Sequence, residues 1–255
     1  KKNFWIRDLN FLIIRYFFLI LIFFLFTSHS FAVSFEKNCK VPKGSIKIIK
    51  IDGEKYTQFT LKDKDKGGCS TDKKSRSGAP YWERAELAQR NTLSKNKIHE
   101  ISFKVKIVEG FKGERETFFQ IHNYNKSAKS VYPSVMLKFD DGFYASTSTH
   151  PSNLQLDFMY ADQKHFHFNR KDIPLANLKS EWQYLKVILS KIDKNTETGY
   201  VTIYLNNDII FNDIKTYFPK KGTPRIKYGI YRPGNLEGNN TSQILYSKIN
   251  VNSKK

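Results

Sequence analysis

The sequence predicts an all-β protein, built as a sandwich or jelly roll of antiparallel strands. Short apolar or alternating runs recur between turn signals such as Asp52-Gly53 and Asn206-Asn207-Asp208. Phe, Tyr, Ile and Val, which strands favour, are plentiful. No long stretch follows a helical period, apart from a turn or two near Ile173–Leu178. A chain of 255 residues without a linker-like segment suits one large β domain.

The individual strands are predicted from their residue patterns. In chain order they are Ile46–Ile51, Tyr81–Leu87, Ile98–Val108, Thr117–Asn123, Ser134–Phe139, Asn153–Tyr160, Lys164–Phe168, Trp182–Ser190, Gly199–Leu205, Ile226–Tyr231 and Ser242–Val251. The run Ile98–Val108 alternates most clearly, with Phe103 and Val105 on one side and Lys104 and Lys106 on the other. This pattern is typical of a half-buried antiparallel strand.

Residues 1–32 are predicted to be a secretory signal, leaving residues 33–255 as the mature domain. A basic start precedes the unbroken apolar run Tyr16–Phe26, and Ser30-Phe31-Ala32 then fits the small-x-small pattern of a signal-peptidase site. The alternative is a retained membrane anchor, but the apolar run is shorter than the roughly 20 residues that a spanning helix needs. We therefore expect a secreted or periplasmic protein that has no stable membrane association after cleavage.

The chain has two cysteines, Cys39 and Cys69. In an oxidising compartment they are expected to pair, and a loop of that length contributes about 3–4 kcal/mol in the chain-entropy model. Two unpaired thiols are the alternative. Neither cysteine has a second Cys or a His at ligand spacing, so the sequence does not indicate a metal site there.

The balance of charge is strongly basic. Lys and Arg number 43 and Asp and Glu 24, giving a formal net charge of +19. Such a field attracts polyanions, which include acidic polysaccharides, nucleic acids and anionic membranes. Part of the charge reflects a general abundance of Lys.

Three segments place polar groups where a sheet face should be uniform. In residues 81–87 (YWERAEL), Arg84 and Glu86 share a face. In residues 118–124 (FFQIHNY), Gln120 and His122 share a face. In residues 227–234 (KYGIYRPG), Lys227 and Tyr231 share a face across Gly229, which would leave room for a ligand to approach the backbone.

These segments resemble the jelly-roll polysaccharide lyases, namely the alginate, glucuronan and heparin lyase-like families. Those enzymes carry an R-x-E-L-R strand, a Q-I-H strand and a K-A-G-x-Y strand. The matches are R-A-E-L at 84–87, Q-I-H at 120–122 and K-Y-G-I-Y at 227–231, in the same order. The segment TGYVTIYLNNDIIF also looks like the paired strands that precede the last motif. The resemblance spans roughly residues 80–250. It implies a concanavalin-like β-jelly roll of two antiparallel sheets with a concave substrate groove.

The resemblance also implies the site residues. Gln120 and Arg84 would neutralise the substrate carboxylate, and His122 and Tyr231 would be the proton-transfer pair. The groups expected to contact substrate are Lys227, Glu86, Arg90, Arg232, His165 and His167. One position departs from the family pattern, because Ala88 replaces the second arginine of R-x-E-L-R, which puts alginate itself in doubt as the substrate.

The chemistry of a lyase explains these residue types. β-Elimination removes the proton on the carbon next to a uronate carboxylate and expels the 4-linked oxygen. Donors such as Arg84 and Gln120 stabilise the charge that develops on the carboxylate. His122 titrates near neutrality and suits a base, whereas Tyr231 suits an acid, or both roles if a cation lies close by.

Other functions fit the sequence less well. A glycoside hydrolase needs two carboxylates that flank the bond, and Glu83 and Glu86 are poorly placed for this. A non-catalytic carbohydrate-binding protein would use the same fold and charge. Only charge and exposed aromatics favour a nucleic-acid binder, so none is expected. His165 and His167 could hold a metal ion but lack a third ligand, and Asp140-Asp141-Gly142 is a possible calcium loop that more often is only a turn. We expect a monomer without a cofactor.

Overall fold

The structure is a computed structural model that describes residues 33–74, 79–108, 115–125, 132–140, 153–159, 166–234 and 241–255. Within these ranges the chain forms fifteen strands: β1 Phe35–Lys37, β2 Ile46–Ile51, β3 Glu54–Leu61, β4 Trp82–Gln89, β5 Ile98–Ile107, β6 Thr117–Tyr124, β7 Pro133–Asp140, β8 Asn153–Met159, β9 Phe166–Pro174, β10 Trp182–Leu189, β11 Thr198–Leu205, β12 Asp208–Tyr217, β13 Thr223–Pro233, β14 Ser242–Tyr246 and β15 Asn250–Lys254. A short 3-10 helix, Leu175–Leu178, lies where the sequence predicted a turn.

The strands form two antiparallel sheets, as the jelly-roll prediction requires. Sheet A has seven strands in the order β1-β4-β13-β6-β7-β8-β9. Sheet B has the order β12-β11-β10-β5-β14-β3-β2, and β15 also pairs with β5. In sheet A, β13 lies between β4 and β6, so segments far apart in sequence are brought side by side.

The core lies between the two sheets. Alternation turns Phe119 and Ile121 of sheet A and Ile101 and Phe103 of sheet B inward, where they are buried. The rings of Phe103 and Phe119 stack across the sandwich with their centroids 5.3 Å apart. Since every second residue of a strand is used for this core, the alternate residues of sheet A are free to build a site on its outer face.

Most predicted strands are confirmed, and three are added. β1, β3 and β12 were not among the predicted strands, although the resemblance of TGYVTIYLNNDIIF to paired strands pointed to the start of β12, and the predicted run Ser242–Val251 is two strands rather than one. The turns at Asp52-Gly53 and Asn206-Asn207 are confirmed, because both residues of each pair have positive φ, as tight hairpin turns require.

The disulfide between Cys39 and Cys69 is confirmed, with Cα atoms 5.4 Å apart. No helix in the described ranges is long and apolar enough to cross a membrane. The predicted signal, residues 1–32, lies outside the described residues, as do His165 and most of the Asp140-Asp141-Gly142 turn.

Candidate active site on the outer face of sheet A

The three polar segments lie on three adjacent strands, because β13 pairs with β4 on one side and with β6 on the other. The register places Tyr231 opposite Arg84, and Lys227 opposite Gln120. Paired residues of an antiparallel sheet point to the same side. The groups predicted from separate motifs therefore do share one face, which is the face opposite the core.

The site residues follow one another in a fixed order along this outer face. Tyr231 and Arg84 lie at one end, and Gln120 and Lys227 lie in the middle. His122 lies at the other end, where its Cα partner is Arg225. Tyr231 pairs with Thr117, five positions from His122 on β6, which corresponds to about 16 Å of strand.

Arg84 is held by two carboxylates. Its Nε and Nη2 donate to Asp72 at 2.9 and 2.8 Å, and its Nη1 donates to Glu86. All three side chains are buried. Burial alone would lower the pKa of Arg84, but Glu86 and Asp72 raise it above its ordinary value, so the guanidinium stays charged. Because three of its N–H groups are already used, Arg84 is less free to bind a substrate carboxylate than the sequence suggested.

Asp72 reaches Arg84 from a loop that contacts the disulfide. Its carboxylate also accepts from the backbone N–H of Cys69 at 3.1 Å. A Cβ on Gly67 would come within 2.1 Å of the Asp72 carboxylate, so this position requires glycine. On the other side of the disulfide, the Asn38 amide is assigned with its oxygen toward the two cations, where it accepts from Arg84 Nη1 at 2.9 Å and from Lys227 Nζ at 3.3 Å.

Gln120 is buried and is oriented by Glu86. Its Nε2 donates to Glu86 Oε1 at 2.6 Å. An amide nitrogen carries two N–H groups, so the second can donate to a ligand carboxylate. The predicted role of Glu86 in contacting substrate is thereby changed, since its oxygens accept from Arg84 and Gln120 and it orients these donors instead.

Tyr231 lies between an indole and a guanidinium. Its ring stacks on Trp82 with centroids 4.9 Å apart, and the guanidinium carbon of Arg84 is 4.1 Å from the ring centre. A cation at this distance is attracted to the ring face and fixes the phenol in place.

His122 is neutral and has a defined tautomer. Its Nδ1 lies 2.7 Å from the carbonyl oxygen of Asn123, and because a carbonyl only accepts, Nδ1 carries the proton and Nε2 has the lone pair. Burial, followed by the charge of Lys227, lowers the pKa of His122 well below its ordinary value. His122 can therefore accept a proton at neutral pH.

Lys227 is a buried ammonium in the middle of the site. Burial, then the nearby charge of Arg84, lowers its pKa from 10.5 to about 7, although Glu86 acts in the opposite direction. A bound carboxylate would stabilise its charged form.

Gly229 has a different role from the one the sequence suggested. Its φ is +132°, and a Cβ there would lie 2.2 Å from the carbonyl oxygen of Ala85 and 2.9 Å from the ring of Phe59. The pairing of β13 with β6 also shifts register between Tyr228 and Tyr231. Glycine is needed for this bulge and for close packing of β13 on β4, not to admit a ligand.

Two of the residues expected to contact substrate lie elsewhere. Arg232 points into the sandwich, where it is 1% exposed and donates to Glu83 and Glu116, because alternation turns the residue after Tyr231 inward. His167 is the Cα partner of Phe158, so its side chain is on the core side of sheet A. It is nevertheless exposed, because β9 is an edge strand of that sheet.

Arg90 continues the outer face beyond β4 and lies 3.3 Å from Glu36, with both side chains largely exposed. Sequence reasoning missed two residues of the site. Asp72 lies in a loop and carries no strand signal, whereas Arg225 lies two residues before Lys227, so the same alternation extended along β13 would have placed it on this face. Among the described residues, no three His, Cys, Asp or Glu side chains cluster as a metal site.

Comparisons with known proteins identify this architecture. A family model described as polysaccharide lyase matches residues 35–250. No curated protein matches the chain. Among solved structures, alginate lyase A1-II′ of polysaccharide lyase family 7 is 14% identical, with a TM-score of 0.57 over 84% of this chain and 85% of that one.

Two further solved structures are similar. The endo-β-1,4-glucuronan lyase of the fungus Trichoderma reesei is 12% identical, with a TM-score of 0.55 over 87% of this chain and 95% of that one. Alginate lyase vAL-1 from a Chlorella virus is 12% identical, with a TM-score of 0.55 over 85% of this chain and 92% of that one. At these identities the likeness shows the jelly-roll fold.

Proposed function

Because the chain belongs to the polysaccharide lyase family, we propose that it cleaves a uronic-acid-containing anionic polysaccharide by β-elimination. The observation that carries this proposal is the convergence of an amide, an imidazole, a phenol and buried cations on one face of three adjacent strands. These groups are Gln120, His122, Tyr231 and Lys227, with Arg84 behind them.

The reaction needs a base and an acid beside a neutralised carboxylate. The C–H bond next to the carboxylate breaks and the base takes the proton. The electron pair forms a carbon–carbon double bond, and the 4-linked oxygen leaves with the electrons of its bond and is protonated by the acid. The products are a new chain end and an unsaturated uronate, so no water or oxidant is consumed.

The described geometry supports one assignment of these roles. His122 has a lone pair on Nε2 at neutral pH and is the base. Tyr231 has a phenolic O–H group that can donate, and it is the acid. Gln120 and Lys227 lie between them and bind the carboxylate. His122 and Tyr231 lie at opposite ends of the site, so a sugar bound to Gln120 and Lys227 would lie between the base and the acid.

The charge of the site and the solved neighbours support a uronate substrate. Arg84, Arg225 and Lys227 face two carboxylates, Asp72 and Glu86, so the cluster has an excess of positive charge when Lys227 is protonated. The similar structures are named as alginate and glucuronan lyases, and both polymers are made of uronates.

The test is product formation from a panel of uronate polymers. We expect ultraviolet absorbance from unsaturated uronate ends with at least one polymer. His122→Ala and Tyr231→Phe should each lower kcat by about 10²–10⁴, the usual contribution of a general acid or base. The matched controls are His167→Ala, at the edge of the core side, and Tyr200→Phe, exposed on sheet B; both should retain activity. Binding without product from every polymer would refute the proposal and leave a carbohydrate-binding protein.

The proposal includes export of the chain with removal of residues 1–32. A disulfide between Cys39 and Cys69 is consistent with an oxidising compartment, either periplasmic or extracellular. The mass of protein recovered outside the cytoplasm tests this directly, since a chain that retains the first 32 residues would contradict it.

A further inference from the structure

Arg225 lies on the same outer face as the proposed catalytic groups. It is a residue of β13, its Cα partner on β6 is His122, and it precedes Lys227 by two positions. Alternation therefore directs its side chain to the side of Gln120, away from the core. None of the three sequence motifs includes this residue.

The guanidinium of Arg225 is oriented by an aromatic ring rather than by a carboxylate. Its central carbon is 4.5 Å from the ring centre of Tyr124. Its Nε is buried and has no hydrogen-bond partner among the described residues. A buried donor without a partner costs free energy, which a ligand that accepts from it recovers.

Arg84, in the same site, differs from Arg225 in its hydrogen-bond partners. Three of its N–H groups donate to the two carboxylates of Asp72 and Glu86. Within the described residues, no carboxylate forms an ion pair with Arg225. Of the two guanidiniums, Arg225 is thus the one with free capacity to bind an anion.

The position of Arg225 also matches what β4 lacks. Where the lyase pattern has a second arginine, this chain has Ala88, whose Cα partner on β13 is Lys227. Arg225 is two residues from Lys227 and is therefore a diagonal neighbour of Ala88, about 7–8 Å away in an ordinary sheet. Arg225 therefore lies close to the position where the lyase pattern has its second arginine.

We propose that Arg225 binds a uronate carboxylate of the polymer at the His122 end of the site and makes the enzyme selective for acidic over neutral units. The inference rests on the proposed lyase function. The planar guanidinium offers two parallel N–H groups to a carboxylate, and this bidentate geometry is not available to lysine. Since the carboxylate is bound before and during the reaction, the contact contributes mainly to KM.

The experiment compares Arg225→Met and Arg225→Lys with the wild type on the polymer that gives most product. Methionine keeps a long unbranched side chain next to Tyr124 and removes the charge. We expect KM to rise about 10- to 100-fold in Arg225→Met, as for loss of a charged hydrogen bond, with kcat changed less than about threefold. The KM of Arg225→Lys should lie between those of the wild type and Arg225→Met, because lysine restores the positive charge but cannot bind a carboxylate through two parallel N–H groups. Lys104→Met, which removes an exposed cation from sheet B, is the matched control and should leave KM unchanged.

A binding measurement separates this inference from the proposed function. In the Tyr231→Phe background, calorimetric affinity for the intact polymer should fall with Arg225→Met, whereas affinity for its carboxyl-reduced form should be equally weak with and without the substitution. Product from the wild type together with an unchanged KM in Arg225→Met would overturn the role of Arg225 alone. Absence of product from the wild type would instead refute the lyase proposal, and thermal unfolding of each variant shows that it is folded.

Discussion

Raising the pH from 6 to 8 should remove most of the substrate-binding charge of Lys227. Lys227 is 5% exposed and lies near Arg84 and Arg225, and burial followed by the Arg84 charge lowers its pKa from 10.5 to about 7. That shift corresponds to about 5 kcal/mol of lost preference for the charged form. With a pKa of about 7, roughly nine-tenths of the free protein carries this charge at pH 6 and roughly one-tenth at pH 8. We therefore expect kcat/KM to fall about tenfold between these values.

Two features of the pH profile of activity identify Lys227 as the group that loses its proton. kcat/KM reports the free enzyme, whereas kcat reports the complex, in which a bound carboxylate favours the charged amine, so kcat should persist to higher pH. The decline of kcat/KM at acidic pH should occur below the ordinary pKa range of histidine, because the pKa of His122 is lowered well below 6.5. The base is therefore already neutral at pH 6.

The assay is initial-rate absorbance of unsaturated product at constant ionic strength, with Lys227→Arg as the comparison. A guanidinium stays charged throughout this range, so the variant should lose the alkaline decline. The reasoning is refuted if wild-type kcat/KM is flat from pH 6 to 8, or if the decline is the same in Lys227→Arg.

Two further substitutions test the packing behind the site. Gly67→Ala would place a Cβ within 2.1 Å of the Asp72 carboxylate and displace Asp72 from Arg84. We therefore expect the free energy of unfolding to fall by about 2–4 kcal/mol and kcat/KM to fall as well. Urea unfolding and kinetics check this, and an unchanged urea midpoint would contradict it. Arg232→Met leaves the buried carboxylates of Glu83 and Glu116 without their cation and should cost about 3–5 kcal/mol of stability. The KM of its folded fraction should not change, and a raised KM would return Arg232 to the substrate-binding groups.

Strand periodicity predicted much of this fold. The run Ile98–Val108 became β5 almost residue for residue, because its apolar positions recur with period two. β3, in contrast, was missed, since Thr57, Gln58 and Thr60 interrupt its apolar pattern. Its apolar Phe59 and Leu61 are buried, and one of its two neighbouring strands, β14, comes from a distant part of the chain, which local periodicity does not encode.

The candidate site was predictable where it lies on strands and not where it depends on loops. Alternation was enough to group Arg84 with Glu86 and Gln120 with His122. It gave no information about Asp72, because a loop residue follows no period and its partner is twelve positions away. As a result, the sequence predicted a cationic site. It did not predict that the charge of Arg84 is balanced by the carboxylates of Asp72 and Glu86.

The link between Cys39 and Cys69 has a consequence for how firmly Arg84 is held. Asn38, the neighbour of one cysteine, and Asp72, three residues after the other, both contact the guanidinium of Arg84. A chain whose two thiols have not yet joined would hold these two side chains less firmly. We therefore expect the reduced protein to hold Arg84 less firmly than the oxidised protein.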